Sequence, residues 1–229
     1  MISIFSEYYM YFLNGVKNTI LLSLLTVALG VVIGIFLALM RISKNKILKF
    51  ISTAYVEFIR GTPLMVQLFI IYFGAEGLGV SYPDFAVFKQ LTGVSSSDFI
   101  PAIIALAVNS SAYVSEIIRA GIQSIDKGQM EAARSLGMNY NMAMRYIIIP
   151  QAFKNILPAL GNEFVVVIKE SSIVSVIGIA ELMKNANIVR STTYDPFTPL
   201  IIAAIMYFIL TFTLSKLLGV AERRMRTSD

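Results

Sequence analysis

Two groups of residues in this chain have the types and spacing for chemistry. The first consists of polar residues set inside apolar sequence: Thr62 and Gln67, Asn109 and Ser110, Asn162 and Glu163, and Glu170. A carboxylate at membrane depth is costly unless it meets a partner or water, and polar groups near interrupted helices are how a bilayer protein holds a polar solute. Amides and hydroxyls can equally serve as hydrogen-bonding glue between helices. Glu163 differs, because its charge demands a cation or a water-filled path, with an ion pair to a residue such as Lys169 as the local alternative. The second group is Glu131-Ala132-Ala133-Arg134-Ser135-Leu136-Gly137, followed after a spacer of nine residues by Ile147-Ile148-Ile149-Pro150. Small alanines on a short helix admit close approach of another protein, and Gly137 can take the left-handed backbone that ends a helix. Asp126 can cap the start of that helix, with Gln129 reaching back to it. Such a segment has the shape of a docking plug.

The elements that position these residues are membrane helices. Of 229 residues 56% are hydrophobic and only 14% charged, with a mean hydropathy of +0.72, which marks an integral membrane protein. Five apolar runs of roughly twenty residues, the length that crosses a bilayer, lie at 18–40, 53–73, 99–118, 147–168 and 197–219. The first lacks a basic leader and a cleavage site of small residues, so it is expected to remain as a helix. Arg60-Gly61-Thr62-Pro63 interrupts the second run, with Thr62 able to cap a new helix and Pro63 suited to its first position. Pro158 and Gly161-Asn162-Glu163 are expected to loosen the fourth, and Lys169-Glu170-Ser171-Ser172 to close it. With the N-terminus outside, 14 Lys and Arg fall on the inner segments and 5 on the outer ones. This positive-inside bias puts the 131–150 loop in the cytoplasm, together with the basic tail Glu222-Arg223-Arg224-Met225-Arg226.

Several classes are excluded or disfavoured. Cysteine and histidine are both absent, which removes disulfides, catalytic thiols, imidazole bases and the usual zinc clusters. The net charge of +5 reads as membrane topology rather than as a nucleic-acid partner. The sequence contains no G-x-x-x-x-G-K-[ST], so it cannot cradle a nucleotide phosphate as P-loop proteins do. A small bundle with a docking loop and no engine points to an ATPase on another chain. A membrane enzyme using Glu163, Glu170 or Asp195 as acid or base would need paired carboxylates at fixed spacing or a metal-binding run, and neither is visible.

Over nearly its whole length the chain resembles the membrane-spanning permease subunits of ABC importers for polar amino acids, of the histidine, glutamine, glutamate and arginine type. The resemblance is carried by Glu57 to Gln67, by Asn109-Ser110-Ser111-Ala112-Tyr113 and by Glu116 to Gln123. It continues through the loop Lys127 to Gly137 and through Leu157-Pro158-Ala159-Leu160-Gly161-Asn162-Glu163-Phe164. Departures are small: Ile149 stands where leucine usually precedes Pro150, and Glu170 where many members have aspartate. The resemblance implies an all-α membrane protein of type I importer architecture, a single permease domain over 1–229 with a coupling loop at about 121–146. It implies that Glu131 through Gly137 dock in a cleft of the ATPase, and that ATP and magnesium are bound there, with no cofactor in this chain. Implied partners are a second permease subunit, for which a second copy of this chain is the simpler expectation, two ATP-binding subunits and a periplasmic or surface-tethered amino acid binding protein. The expected location is the cell membrane of a prokaryote. Substrate contacts are expected at Thr62, Gln67, Asn109, Ser110, Asn162, Glu163 and Glu170, and the Glu163 carboxylate favours basic amino acids.

Overall fold

In the absence of water an apolar run must satisfy every backbone N–H and C=O within itself, and a helix does so. The computed structural model describes the backbone of residues 1–226 and the side chains of residues 1–224, so Met225 and Arg226 of the basic tail fall outside the described side chains. Its order is α1 (Ile2–Ile42), α2 (Lys46–Gly61), α3 (Leu64–Gly77), α4 (Ala86–Thr92), α5 (Ser96–Gln123), α6 (Lys127–Ser135) and α7 (Tyr140–Ala143). A π-helical turn, Met144–Ile148, then leads into α8 (Ile149–Glu170), a 3-10 segment (Ser171–Ile177), α9 (Leu182–Thr193) and α10 (Thr198–Arg226).

Three of these, α1, α5 and α10, are each long and apolar enough to cross a bilayer, and α2 with α3 forms a fourth candidate bent by 106° at its break. The fifth expected span, α8, is not among them, its apolar run being diluted by Gln151, Lys154, Asn155, Asn162 and Glu163. The first helix also begins well before the expected 18–40, at Ile2, with a kink at Tyr8. Two short helices, α4 and α9, were not expected. Neither has a twenty-residue apolar run, so a search for bilayer-length segments passes over them.

The break in the second span is present, but Thr62 plays a different part from the one expected. Pro63 is the N-cap of α3, and the Thr62 hydroxyl turns back to donate to the Phe58 carbonyl at 2.9 Å. With no N–H at Pro63 and two carbonyls freed at the end of α2, a hydroxyl there stabilises more as a donor to the old helix than as a cap for the new one. The fourth span is not loosened: α8 runs unbroken through Pro158. Gly161 serves packing instead, since a Cβ there would lie 2.5 Å from Leu218 Cδ2 on α10.

The core is the seam between α1 and α5. A Cβ added to Gly34 would stand 2.5 Å from Val114 Cγ1 and 3.0 Å from the Ser111 carbonyl oxygen, and one at Gly30 would stand 3.3 Å from Ser110 Cβ. Small residues at such a crossing let backbones approach, which is how helices associate where no hydrophobic difference drives them. Leu22, Leu68, Phe99 and Val174 are completely buried around one end of this seam, and Phe12, Leu182, Ala186 and Val189 join α1 to α9.

Candidate functional site

Consecutive residues of α5 reach two different neighbours. Asn109 Nδ2 donates to Gln67 Oε1 on α3 at 2.9 Å, and Gln67 Nε2 in turn donates to the Ile59 carbonyl at 2.7 Å and to Thr62 Oγ1 at 2.8 Å. Gln67 thus staples the broken end of α2 to α3 and both to α5. Ser110 Oγ donates to Glu163 Oε1 on α8 at 2.8 Å, and Gly30 on α1 closes over Ser110. Both Ser110 and Glu163 are buried, the latter with 8% of its surface exposed.

Of the expected substrate contacts, Thr62, Gln67 and Asn109 are therefore brought together, and Ser110 and Glu163 form a second, adjoining pair. Glu170 lies seven residues beyond Glu163, hence on the same side of α8 about two turns away. Asn162 is not part of either cluster. It is exposed, about 100° round the helix from Glu163. Asp195, considered as an acid or base, caps α10 by accepting from the N–H groups of Phe197 and Thr198, each at 2.9 Å. Hydrogen bonds from the Thr198 side chain and from these backbone groups hold its carboxyl below the usual carboxylate range. Among the described residues no cluster of His, Cys, Asp and Glu could hold a metal ion.

The segment expected to dock lies apart from these clusters and is exposed. Asp126 Oδ1 accepts from the Gly128 N–H at 2.7 Å and starts α6. Gly137 has φ +87°, Met138 N–H donates to the Ala133 carbonyl and Gly137 N–H to the Arg134 carbonyl, both at 3.1 Å. This pairing is a Schellman motif, in which only the left-handed residue lets both final carbonyls find donors. Ala133 faces inward, with 4% exposure, while Glu131, Ala132, Arg134 and Ser135 face outward and Leu136 is 82% exposed.

Gln129 does not reach back to the cap as expected. Its Oε1 accepts from Gln151 Nε2 on α8 at 3.2 Å. Beside it Asn155 Nδ2 donates to Ser124 Oγ at 3.0 Å, and Gly121 on α5 leaves no room for a Cβ against Ile156 of α8, which would stand at 2.4 Å. These contacts fasten the loop to the helix that carries Glu163. An ion-pair network from Arg41 through Glu116 to Arg119 fastens the end of α1 to α5 in the same region. Sequence reading missed both. Only the i,i+3 spacing of Glu116 and Arg119 could have signalled the network, since the tethers to α8 join residues far apart in the chain.

A bundle of apolar helices with a buried polar cluster and one exposed, capped helix has the architecture of a membrane transport subunit. The chain belongs to the family described as binding-protein-dependent transport system inner membrane components, which matches residues 30–227. It is a membrane-embedded ABC transporter permease. The arginine transport system permease protein ArtQ of Bacillus subtilis is 41% identical over 219 residues, covering 96% of this chain and 94% of its own length. A Rickettsia bellii permease assigned by name to glutamine transport is 41% identical over 224 residues, covering 98% and 97%. A crystal structure of an amino acid ABC transporter with histidines has a chain 53% identical, with a TM-score of 0.87 over 96% of each chain. A chain of the inward-facing MetNI methionine ABC transporter shares the fold at a TM-score of 0.73 and 19% identity, with 94% of this chain and 96% of that one covered.

Proposed function

We propose that the chain forms one half of the translocation pathway of an ATP-driven importer of amino acids, with basic amino acids as the preferred cargo. The observation that carries this reading is Glu163, a carboxylate buried in the bundle whose only charged neighbour on the same face of α8 is a second carboxylate, Glu170. Two carboxylates about 10 Å apart along one helix favour a cation between or beside them, and a guanidinium or ammonium side chain supplies one. The arginine transport relative supports this cargo; the relative named for glutamine leaves a neutral amino acid as the competing outcome.

In this reading α1, the bent α2–α3 pair, α5, α8 and α10 are five spans, with the N-terminus outside and α6 in the cytoplasm, as the excess of Lys and Arg on the inner segments favours. Two copies of the chain, two ATP-binding subunits and an external binding protein make up the importer, in the inner or plasma membrane. Glu131 through Gly137 dock on the ATPase, which binds ATP and magnesium. Thr62, Gln67 and Asn109 support the pathway wall, Ser110, Glu163 and Glu170 face the cargo, and Asn162 contributes from the exposed side of α8. Uptake of radiolabelled arginine, lysine, histidine and glutamine by proteoliposomes holding the assembled transporter tests the reading. Preferential uptake of the three basic amino acids supports it, and preferential uptake of glutamine replaces the cargo.

A further inference from the structure

Arg60 is a cation without a counter-charge at membrane depth. It is the penultimate residue of α2, and its guanidinium carbon stands 5.5 Å from the centroid of the Tyr113 ring on α5. Tyr113 lies four residues, about 6 Å along the helix axis, past Asn109, which is midway along the 28 residues of α5. A hydrocarbon core of about 30 Å therefore includes both. Among the described residues no ion pair joins Arg60 to a carboxylate, and Glu57, three residues back on α2, is itself exposed.

Lipid tails do not accommodate an unpaired guanidinium at this depth, so such a side chain faces protein or a water-filled path. Arg60 is exposed on the chain, and Tyr113 is 37% exposed. The direction they face follows from α5. At 100° per residue Tyr113 projects about 40° from Asn109 and about 60° from Ser110. The pair therefore stands between the Gln67–Asn109 and Ser110–Glu163 clusters, one turn nearer α6. The backbone on both sides of Arg60 is pinned, because Gln67 Nε2 donates to the Ile59 carbonyl at 2.7 Å and to the Thr62 carbonyl at 3.1 Å. The ring attracts the cation over its face, and no acceptor among the described residues takes the guanidinium N–H groups. A planar fork left with its donors free matches a carboxylate in two parallel hydrogen bonds.

The cargo of an amino acid importer brings such a carboxylate whatever its side chain. We infer that Arg60 binds the α-carboxylate of the transported amino acid, with Tyr113 positioning the guanidinium. This rests on the bundle being an amino acid pathway, as proposed above, and not on the cargo being basic. Arg60 and Glu163, of opposite charge and reached from different sides of α5, then orient a zwitterion with its carboxylate toward α2 and its cationic end toward α8.

Equilibrium binding to the assembled complex of permease and ATPase, purified without the external binding protein, tests this with L-arginine, L-glutamine and the α-amide of each. The wild type should bind the amino acid it carries about tenfold or more tightly than the matching α-amide, the worth of a charge-assisted hydrogen bond. Arg60→Gln should bring the acid and the amide to equal affinity, and Arg60→Lys, which keeps the charge without the fork, should keep part of the difference. Tyr113→Leu should narrow the ratio while Tyr113→Phe, which keeps a ring, preserves it. An Arg60 that only complements the dipole at the end of α2 leaves the ratio unchanged in Arg60→Gln. That result, or a wild type that fails to distinguish acid from amide or binds neither, overturns the proposal. If Arg60→Gln does not assemble, the ratio in Arg60→Lys decides. The same discrimination seen with glutamine rather than arginine supports Arg60 equally and overturns the basic cargo alone.

Discussion

Gln67 and Glu163 are attached to adjacent residues of α5, yet their surroundings assign them different work. The Gln67 amide is spent on Ile59, Thr62 and Asn109, so it fastens the broken span and has little left for a cargo. Glu163 has a neutral hydroxyl as its donor and keeps its charge uncompensated along α8, which a transported cation can relieve. Glu163→Gln retains the volume and the acceptor for Ser110 while removing that charge. Uptake of arginine by the variant in proteoliposomes is expected to fall by about tenfold or more, and uptake of glutamine by much less, since a hydrogen bond to a charged partner outweighs one to a neutral partner. An equal loss for both would separate Glu163 from side-chain selection, and no loss for either would remove it from the pathway. The identity of these residues was legible in the sequence, because polar groups stand out in apolar runs. Their pairing was not: Ser110 meets Glu163 and Asn109 meets Gln67 only because α5 lies between α3 and α8. The expected grouping of Asn162 with Glu163 ignored the turn of about 100° per residue that sends neighbours to different faces.

At the scale of elements, α6 is set by its ends, and the sequence showed them. Gly137 was readable as a left-handed terminus because no other residue takes that conformation cheaply, and its φ of +87° fits the Schellman pairing with Ala133 and Arg134. Gly137→Val puts a β-branched residue in that conformation at a cost of about 2 kcal/mol or more. Nothing lies within 4 Å of a Cβ at this position, so the damage is confined to the turn. The variant should insert and assemble normally while transport and substrate-stimulated ATP hydrolysis drop together, and unimpaired coupling would dismiss α6 as the docking element. Gly34 differs, because its cost comes from packing. Gly34→Ala drives a methyl into Val114 and the Ser111 carbonyl at the α1–α5 seam and should destabilise the subunit by about 1–3 kcal/mol. Gly219→Ala on α10, with open space around it, serves as the control, and equal melting temperatures of the two variants in detergent would argue against a tight seam. Long apolar helices were legible from composition alone. Seam contacts, the π-helical turn before α8 and the short helices α4 and α9 depend on contacts between segments far apart in sequence, which no local pattern records.

The whole molecule carries half of what an importer needs. It presents one α6, fastened through Gln129–Gln151 and Ser124–Asn155 to the helix that holds Glu163, and on the proposed docking role a push on α6 would reach the polar cluster through these contacts. A motor that closes as a pair would have to push two such segments. Many of the remaining exposed surfaces are apolar, among them Phe36, Phe50, Phe58 and Phe208, each more than 60% exposed, as suits a chain bounded by lipid and by another subunit. The sequence offers no phosphate-binding loop, and the described residues form helices joined by turns and short loops, so nucleotide hydrolysis is expected to come from the partner. The purified chain should therefore show no ATPase activity above background, and activity should appear on adding the ATP-binding subunit. Native mass spectrometry of the reconstituted transporter then measures the count directly. Two copies of this 25.3 kDa chain with two ATPase subunits are expected. One copy alongside a permease of different mass would overturn the two-copy arrangement while leaving the coupling argument intact, because the second permease would bring its own docking helix. ATP hydrolysis by this chain alone would instead break the division between pathway and motor on which the reading of α6 depends.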